Sequence, residues 1–316
     1  MKSSTVRATD AKADFTMLFV IGAARSGTTY AVDILDELFD FGMGPEGHFV
    51  LNLARRLRRY GDLQIAYNME RLLSDMRHGS TLSIIRTEWA PEKRFDVSLA
   101  QLSARLPEKT FAGAVYAVFR CIADAMGKQH VGTKNPAYTL ALPLLEHHFG
   151  KRAKFLHVVR DGRDVALSTL KMPWGEKSVY AAASSWALHT RRAIEFQKTV
   201  GASRYLTVKY EDLVSKPEKV LDALEMFLGF EIEPARKQDF LQSAGEGGFS
   251  GNFLKWKKAL AERDRIRFEA LAGPELAHFG YEREFASPVV SGLEVAYFES
   301  RELMRKIAHT VHGWRR

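Results

Sequence analysis

The sequence predicts an α/β fold: a central parallel sheet flanked by helices, with a helical insertion. Three observations predict it. A short apolar run, FTMLFVIG (15–22), ends in glycine and is followed by TTYAVDILDELFDF, whose apolar residues recur at helical spacing. The same order of buried strand, tight turn and helix returns in AKFLHVVRDGRDVALSTLK (153–171). A third strand, RYLTVKY (204–210), precedes a helix that starts near Pro217, turns Val220, Leu221, Leu224, Phe227 and Leu228 inward and stops at Gly229. Strands alternating with helices imply parallel strands with both sheet faces covered.

The remaining segments fit around that frame. Residues 1–14 lack an apolar stretch and read as a disordered N-terminus without a secretory signal. Residues 46–128 read mainly as helices (HFVLNLARRLRRY, NMERLLSDMRH and FAGAVYAVFRCIADAMG). Such a connection exceeds what joining two strands requires, so it predicts a lobe over the sheet edge, suited to recognising a second substrate. The glycine-rich AGEGGFSGNF (244–253) predicts a mobile loop, and residues 291–316 predict a basic C-terminal helix.

Composition narrows the classes. The 316 residues are 46% hydrophobic, enough for a core of ordinary size, and no apolar run nears the roughly 20 residues a membrane span needs. The single cysteine, Cys121, cannot form an intramolecular disulfide or a cysteine-based metal site, which points to a reducing compartment, the cytoplasm, and to a place in the core. The 46 Lys+Arg against 38 Asp+Glu give a net charge of +8, favouring an anionic ligand. No nucleic-acid-binding signature accompanies that charge. Basic runs such as ARRLRRY (54–60) read as solvated helix faces, a weak membrane-surface contact at 292–316 is an alternative, and no feature sets an oligomeric state.

The chemistry lies in the turns, because ligands of parallel sheets bind beyond the C-terminal strand ends. In IGAARSGTTY (21–30), Gly22 and Gly27 have the spacing of a phosphate-cradling loop and Thr29 its hydroxyl position, but Thr28 stands where that loop carries lysine. Glycines admit an anion to backbone N–H groups at a helix N-terminus, and Arg25 adds a planar fork of donors. In the second turn, Arg160 closes a strand and Ser168 lies about two helical turns on. Two such turns could hold two phosphate groups. His147 and His148 are adjacent on a predicted helix, point to different faces and have no third ligand in view, so no metal is expected. Trp174 reads equally as an acceptor-mouth or a turn residue, and Glu211 and Asp212 read as turn carboxylates.

Four stretches in this order, IGAARSGTT, GTKNP, FLHVVRDGRDVALS and LTVKYEDLV, resemble the sulfotransferases that use 3′-phosphoadenosine 5′-phosphosulfate (PAPS). The variety they are most similar to is the bacterial group related to tyrosylprotein sulfotransferases. The likeness runs from about residue 15 to 282 and is faint across 50–128. It implies a P-loop-like sulfotransferase fold over 15–290, with PAPS as donor, 3′-phosphoadenosine 5′-phosphate (PAP) as product, a hydroxyl-bearing acceptor and no metal. By the same resemblance the loop residues Gly22, Arg25, Ser26, Gly27, Thr28 and Thr29 would grip the 5′-phosphosulfate. Arg160 and Ser168 would hold the 3′-phosphate, and Tyr210 and Lys255 would contact the nucleotide. Lys134 in GTKNP would supply the cation missing from the loop, at the bridging oxygen where negative charge grows. Glu46 in GPEGHFV matches the catalytic glutamate of the tyrosylprotein branch. His48 is the competing base, matching the histidine of the cytosolic branch and having an ordinary pKa of about 6.5. Ala24 replaces a common proline, and Leu254 replaces a serine before Lys255–Trp256, whose contact Ser250 or Asn252 could supply. Two other classes stay open on the residues alone: a nucleotide-dependent phosphoryl transferase, and a non-catalytic module binding anions or sulfated polysaccharide.

Overall fold

Five parallel strands form one sheet in the order β2-β3-β1-β4-β5 in the computed structural model, which describes residues 16–44, 46–78, 97–246 and 253–313. They are β1 (Met17–Ile21), β2 (Phe41–Met43), β3 (His130–Lys134), β4 (Ala153–Val159) and β5 (Tyr205–Lys209). β1 is central, wholly buried, and pairs with β3 on one side and β4 on the other. The chain leaves β1 toward the β2 edge through helix α1 (Thr28–Phe39), returns to β3, then crosses to β4 and β5. Strand order therefore reverses at β1, which opens a crevice at its C-terminal end.

Alternate residues of β1 serve two cores. Met17, Phe19 and Ile21 pack into a cluster that contains Phe49, Val50, Leu72, Phe111, Val115, Phe119 and Phe149. Leu18 and Val20 face the opposite cluster of Ala31, Ile34, Leu35, Leu156, Val158, Val220, Leu221 and Leu224. The described helices of residues 46–128 join the first of these clusters, on the side of the sheet where β3 and β2 lie. These are α2 (His48–Ala54), α3 (Ala66–His78), α4 (Leu99–Ala104) and α5 (Phe111–Ala125). α5 buries ten residues and packs against β2 and β3.

Beyond β3 the helices are α6 (Leu142–Phe149), α7 (Gly162–Leu170), α8 (Val179–Val200), α9 (Tyr210–Ser215), α10 (Pro217–Leu228), α11 (Pro234–Glu246), α12 (Trp256–Ala259), α13 (Glu262–His278) and α14 (Gly292–Gly313). α10 has the predicted proline start, the five predicted buried side chains, and Gly229 at φ 81° closing it. β2 and β3 were not legible as strands, since β2 is three residues long and β3 begins with His130 and ends with Lys134. A third cluster, built on Val159, Val165, Trp186, Trp256, Phe268 and Leu276, ties α7, α8, α12 and α13 together. α14 docks through Phe298, stacked on Tyr180 at 4.8 Å, and through Glu294, which accepts from Arg263 and Arg267. Those arginines hold the Glu294 carboxyl down at about 2. Among the described residues no helix is long and apolar enough to cross a membrane.

Cys121 is half-buried at the margin of the first core instead of within it, and burial pushes its thiol up to about 11. The expected N-terminal disorder and most of the glycine-rich 244–253 segment, with Ser250 and Asn252, lie outside the described residues.

Candidate active site

The first turn has no slack. Gly22, at φ 145°, donates its N–H to Thr139 Oγ1 at 2.8 Å, and a Cβ there would meet the Val158 carbonyl oxygen at 2.3 Å. Gly27, at φ 90°, caps α1, and a Cβ on it would sit 2.2 Å from Tyr210 Cδ2. Arg25 between them is left-handed at φ 69°, a conformation that costs a non-glycine residue about 1–3 kcal/mol. Two contacts offset that cost: Arg25 Nε donates to Ser168 Oγ at 3.0 Å, and its carbonyl accepts from Arg160 Nη1 at 3.4 Å. α1 starts with no side-chain cap and no acidic residue in its first turn, so its first N–H groups face the cleft uncompensated. The Ser26 hydroxyl is buried and has no partner among the described residues. An uncapped helix start and an orphaned hydroxyl in one loop suit an anion.

The second turn meets the first. Arg160, just past the end of β4, lies 4.6 Å from the Tyr210 ring centre, and its carbonyl accepts from Trp186 Nε1 at 3.2 Å. Asp161 caps α7 by accepting from Arg163 N at 2.9 Å, and Glu211 Oε1 accepts from Asp161 N. Glu211 also accepts from Tyr281, so this carboxylate is structural, as the sequence suggested, and burial raises it above its usual range. The guanidinium of Arg163 is enclosed. It donates to Asp161, to Glu269 Oε1 at 2.8 Å and to the Glu282 carbonyl, and lies 3.5 Å from the Trp256 ring centre.

Eight of the residues expected to contact the donor, Arg25, Gly27, Thr28, Thr29, Arg160, Ser168, Tyr210 and Lys255, line one cleft of about 600 Å³. Gly22 and Ser26 sit in the loop without lining it. Tyr30, Asp164, Leu167, Lys171 and Ala259 complete the wall and were missed in the sequence. Lys171 was detectable, since it follows Ser168 by one helical turn. Asp164 was not, because its role depends on a segment about ninety positions away: it accepts from Leu254 N at 2.7 Å and Trp256 N at 3.0 Å. Burial holds its carboxyl above the usual range, with those two N–H groups opposing the rise. At Leu254 the backbone is left-handed (φ 61°) and the side chain is exposed.

Glu46, His48 and Lys134 are not in that wall and form a cluster of their own at the ends of β2 and β3. Lys134 Nζ donates to Glu46 Oε1 at 2.5 Å, and His48 Nε2 lies 3.3 Å from Glu46 Oε2. Asn135, missed in the sequence, fixes the imidazole. Its Oδ1 accepts from Ala137 N at 2.9 Å, which directs Nδ2 to donate to His48 Nδ1 at 3.0 Å. That network places the His48 proton on Nε2, toward Glu46, and occupies its lone pair. Trp174 is exposed beside Ala23, Ala24 and His189, across α7 from the donor-side wall. His148 is half-buried against Phe111 and His147 is exposed. No group of three or more potential metal ligands occurs among the described residues.

A parallel α/β sheet whose switch point presents two basic turns to one cleft defines a protein that handles a phosphorylated or sulfated group. The particular class follows from sequence: the profile described as "Sulfotransferase family" matches residues 18–234, and the chain belongs to that family of enzymes. No curated protein sequence matches it. Among solved structures, the sulfotransferase domain of the Synechococcus PCC 7002 olefin synthase aligns at 23% identity, covering 86% of this chain and 98% of that domain, with a TM-score of 0.54. The sulfotransferase domain from the curacin biosynthetic pathway aligns at 18% identity over 85% of this chain and 98% of that one, with a TM-score of 0.51. These two likenesses are of fold. The family membership sets aside the phosphoryl-transferase and non-catalytic alternatives.

Proposed function

We propose that the chain moves a sulfuryl group from PAPS to an acceptor hydroxyl, carried by a carbohydrate, lipid, phenol, tyrosine or small metabolite, leaving PAP. The observation that carries this reading is the Arg25–Ser168 hydrogen bond, which joins the two anion-ready turns in one cleft at 3.0 Å. A donor charged at both ends of an adenosine needs two such turns. In this reading the 22–29 loop holds the 5′ end through Arg25, Ser26, Thr28, Thr29 and backbone N–H groups. Arg160 and Ser168 hold the 3′-phosphate, and Tyr210 and Lys255 border the nucleotide. PAPS supplies an activated sulfur–oxygen bond whose cleavage leaves charge on the 5′-phosphate, and the reaction needs positioning more than covalent help.

In this reading Lys134 supplies the cation that the loop lacks, countering the charge that develops on the leaving phosphate. Glu46 takes the acceptor's proton. The choice of Glu46 over His48 rests on the hydrogen bonds: the His48 lone pair is engaged by Asn135, whereas the Glu46 carboxylate keeps acceptor capacity beyond its two contacts. His48 and Lys134 then orient that carboxylate. No metal enters the scheme.

The test has two arms. Calorimetry should find saturable PAP binding in low salt, and labelled PAPS with a panel of sugars, phenols, peptides and lipids should label one acceptor class. Absence of measurable PAP affinity defeats the reading. Glu46→Gln should keep PAP affinity within about twofold and lower turnover by 10²–10⁴, the usual contribution of a general base. Full activity in Glu46→Gln beside a dead His48→Ala would transfer the role to His48.

A further inference from the structure

The donor cleft contains a carboxylate where an anion is to bind. Asp164 is 2% exposed, lines the wall with Arg25, Arg160 and Lys255, and by charge alone would repel a phosphate. Each of its oxygens is tied to the backbone. Oδ2 accepts from Leu254 N and Oδ1 from Trp256 N, the two peptide N–H groups flanking Lys255. Trp256 is fully enclosed beneath the Arg163 guanidinium, and Leu254 holds a left-handed φ of 61°. A residue whose two neighbours are fastened to one carboxylate has little freedom in its own backbone, and Lys255 accordingly reaches the cleft wall.

We propose that Asp164 is a positioning residue for the donor, acting through Lys255: it spends its charge on the 254–256 backbone and so fixes the lysine over the nucleotide site. This rests on the PAPS reading above. It also explains the absence of a serine before Lys255. The Leu254 position contributes a backbone N–H, which any residue but proline supplies, to a carboxylate on α7.

The experiment is a double-mutant cycle on PAP affinity, measured by calorimetry with the full chain: wild type, Asp164→Asn, Lys255→Ala and the pair. An asparagine retains one acceptor and turns an N–H₂ toward the second peptide N–H, so the segment loses one of its two ties. Each single change should weaken PAP about tenfold, and the double variant should be within about twofold of the weaker single, since removing the lysine removes what the aspartate positions. Amide hydrogen exchange at Leu254 and Trp256 should quicken in Asp164→Asn and stay unchanged in Lys255→Ala. If Asp164→Asn fails to fold, Asp164→Ser carries the same expectations. Losses that multiply in the double variant, or an aspartate variant binding PAP like wild type, overturn the positioning role alone. A wild-type protein that binds no PAP overturns the donor reading, and this inference with it.

Discussion

Arg160 and Arg163 stand three residues apart in RDGRD, and the fold puts one at an open cleft and the other in the interior. Arg160 keeps its face on Tyr210 and its edge toward the Arg25 loop. Arg163 is 1% exposed, with Asp161 and Glu269 on its nitrogens and Trp256 on its plane. One short motif therefore builds both a ligand site and the anchor beneath it. The difference teaches that charge type does not assign a role. Burial and the supply of carboxylates do.

The contrast breaks most visibly at Arg163. Its replacement by alanine strands two buried carboxylates and should cost about 3–5 kcal/mol, read as a large fall in the denaturant midpoint with PAP binding lost alongside it. Arg160→Ala should do the converse: PAP affinity should fall about 10- to 100-fold, as expected for a charge-assisted contact, while the midpoint stays near wild type. Equal destabilisation by the two would erase the distinction. Gly27→Ala should fall between them. A Cβ 2.2 Å from Tyr210 on a φ of 90° should cost about 1–3 kcal/mol and displace the ring that Arg160 rests on, so stability and PAP affinity decline together.

A last prediction probes the scaffold through pH and leaves the donor cleft untouched. His157 on β4 is buried, its Nδ1 has no partner among the described residues, and burial pulls its pKa from 6.5 to about 3. The folded state thus resists a proton that the unfolded chain accepts below pH 6.5. Stability attributable to this residue is intact above that value and declines as pH falls toward 3, by at most about 1.4 kcal/mol per pH unit. His157→Leu should flatten that acid limb in denaturation measured from pH 7 to 4 while leaving PAP affinity at neutral pH unchanged. An unaltered limb would mean that the imidazole is solvated in the fold.

Much of the donor side was legible because its determinants are local. The 22–29 loop is a strand end, two glycines and a helix start, and Arg160 and Ser168 follow from one strand–turn–helix unit. The Glu46–Lys134–His48 cluster was legible as residues, through resemblance, but not as a hydrogen-bonded arrangement: Asn135 became visible only with Ala137 N fixing its amide. β3 went unread because its polar ends mask the apolar middle. The 46–128 helices were recognised, but their place against the sheet face depends on which side of β1 shows Phe19, a matter of register.

By itself the sequence determined three of the five strands with the helices that follow them, the two basic turns at strand ends, and the family, since each is written in periodicity or in a contiguous motif. The tertiary structure alone decided which arginine faces a ligand, that Asp164 holds a backbone segment instead of opposing an anion, and that His48 points its proton at Glu46. Those outcomes depend on burial and on hydrogen-bond partners brought together from distant positions, and neither quantity exists until the chain has closed on itself.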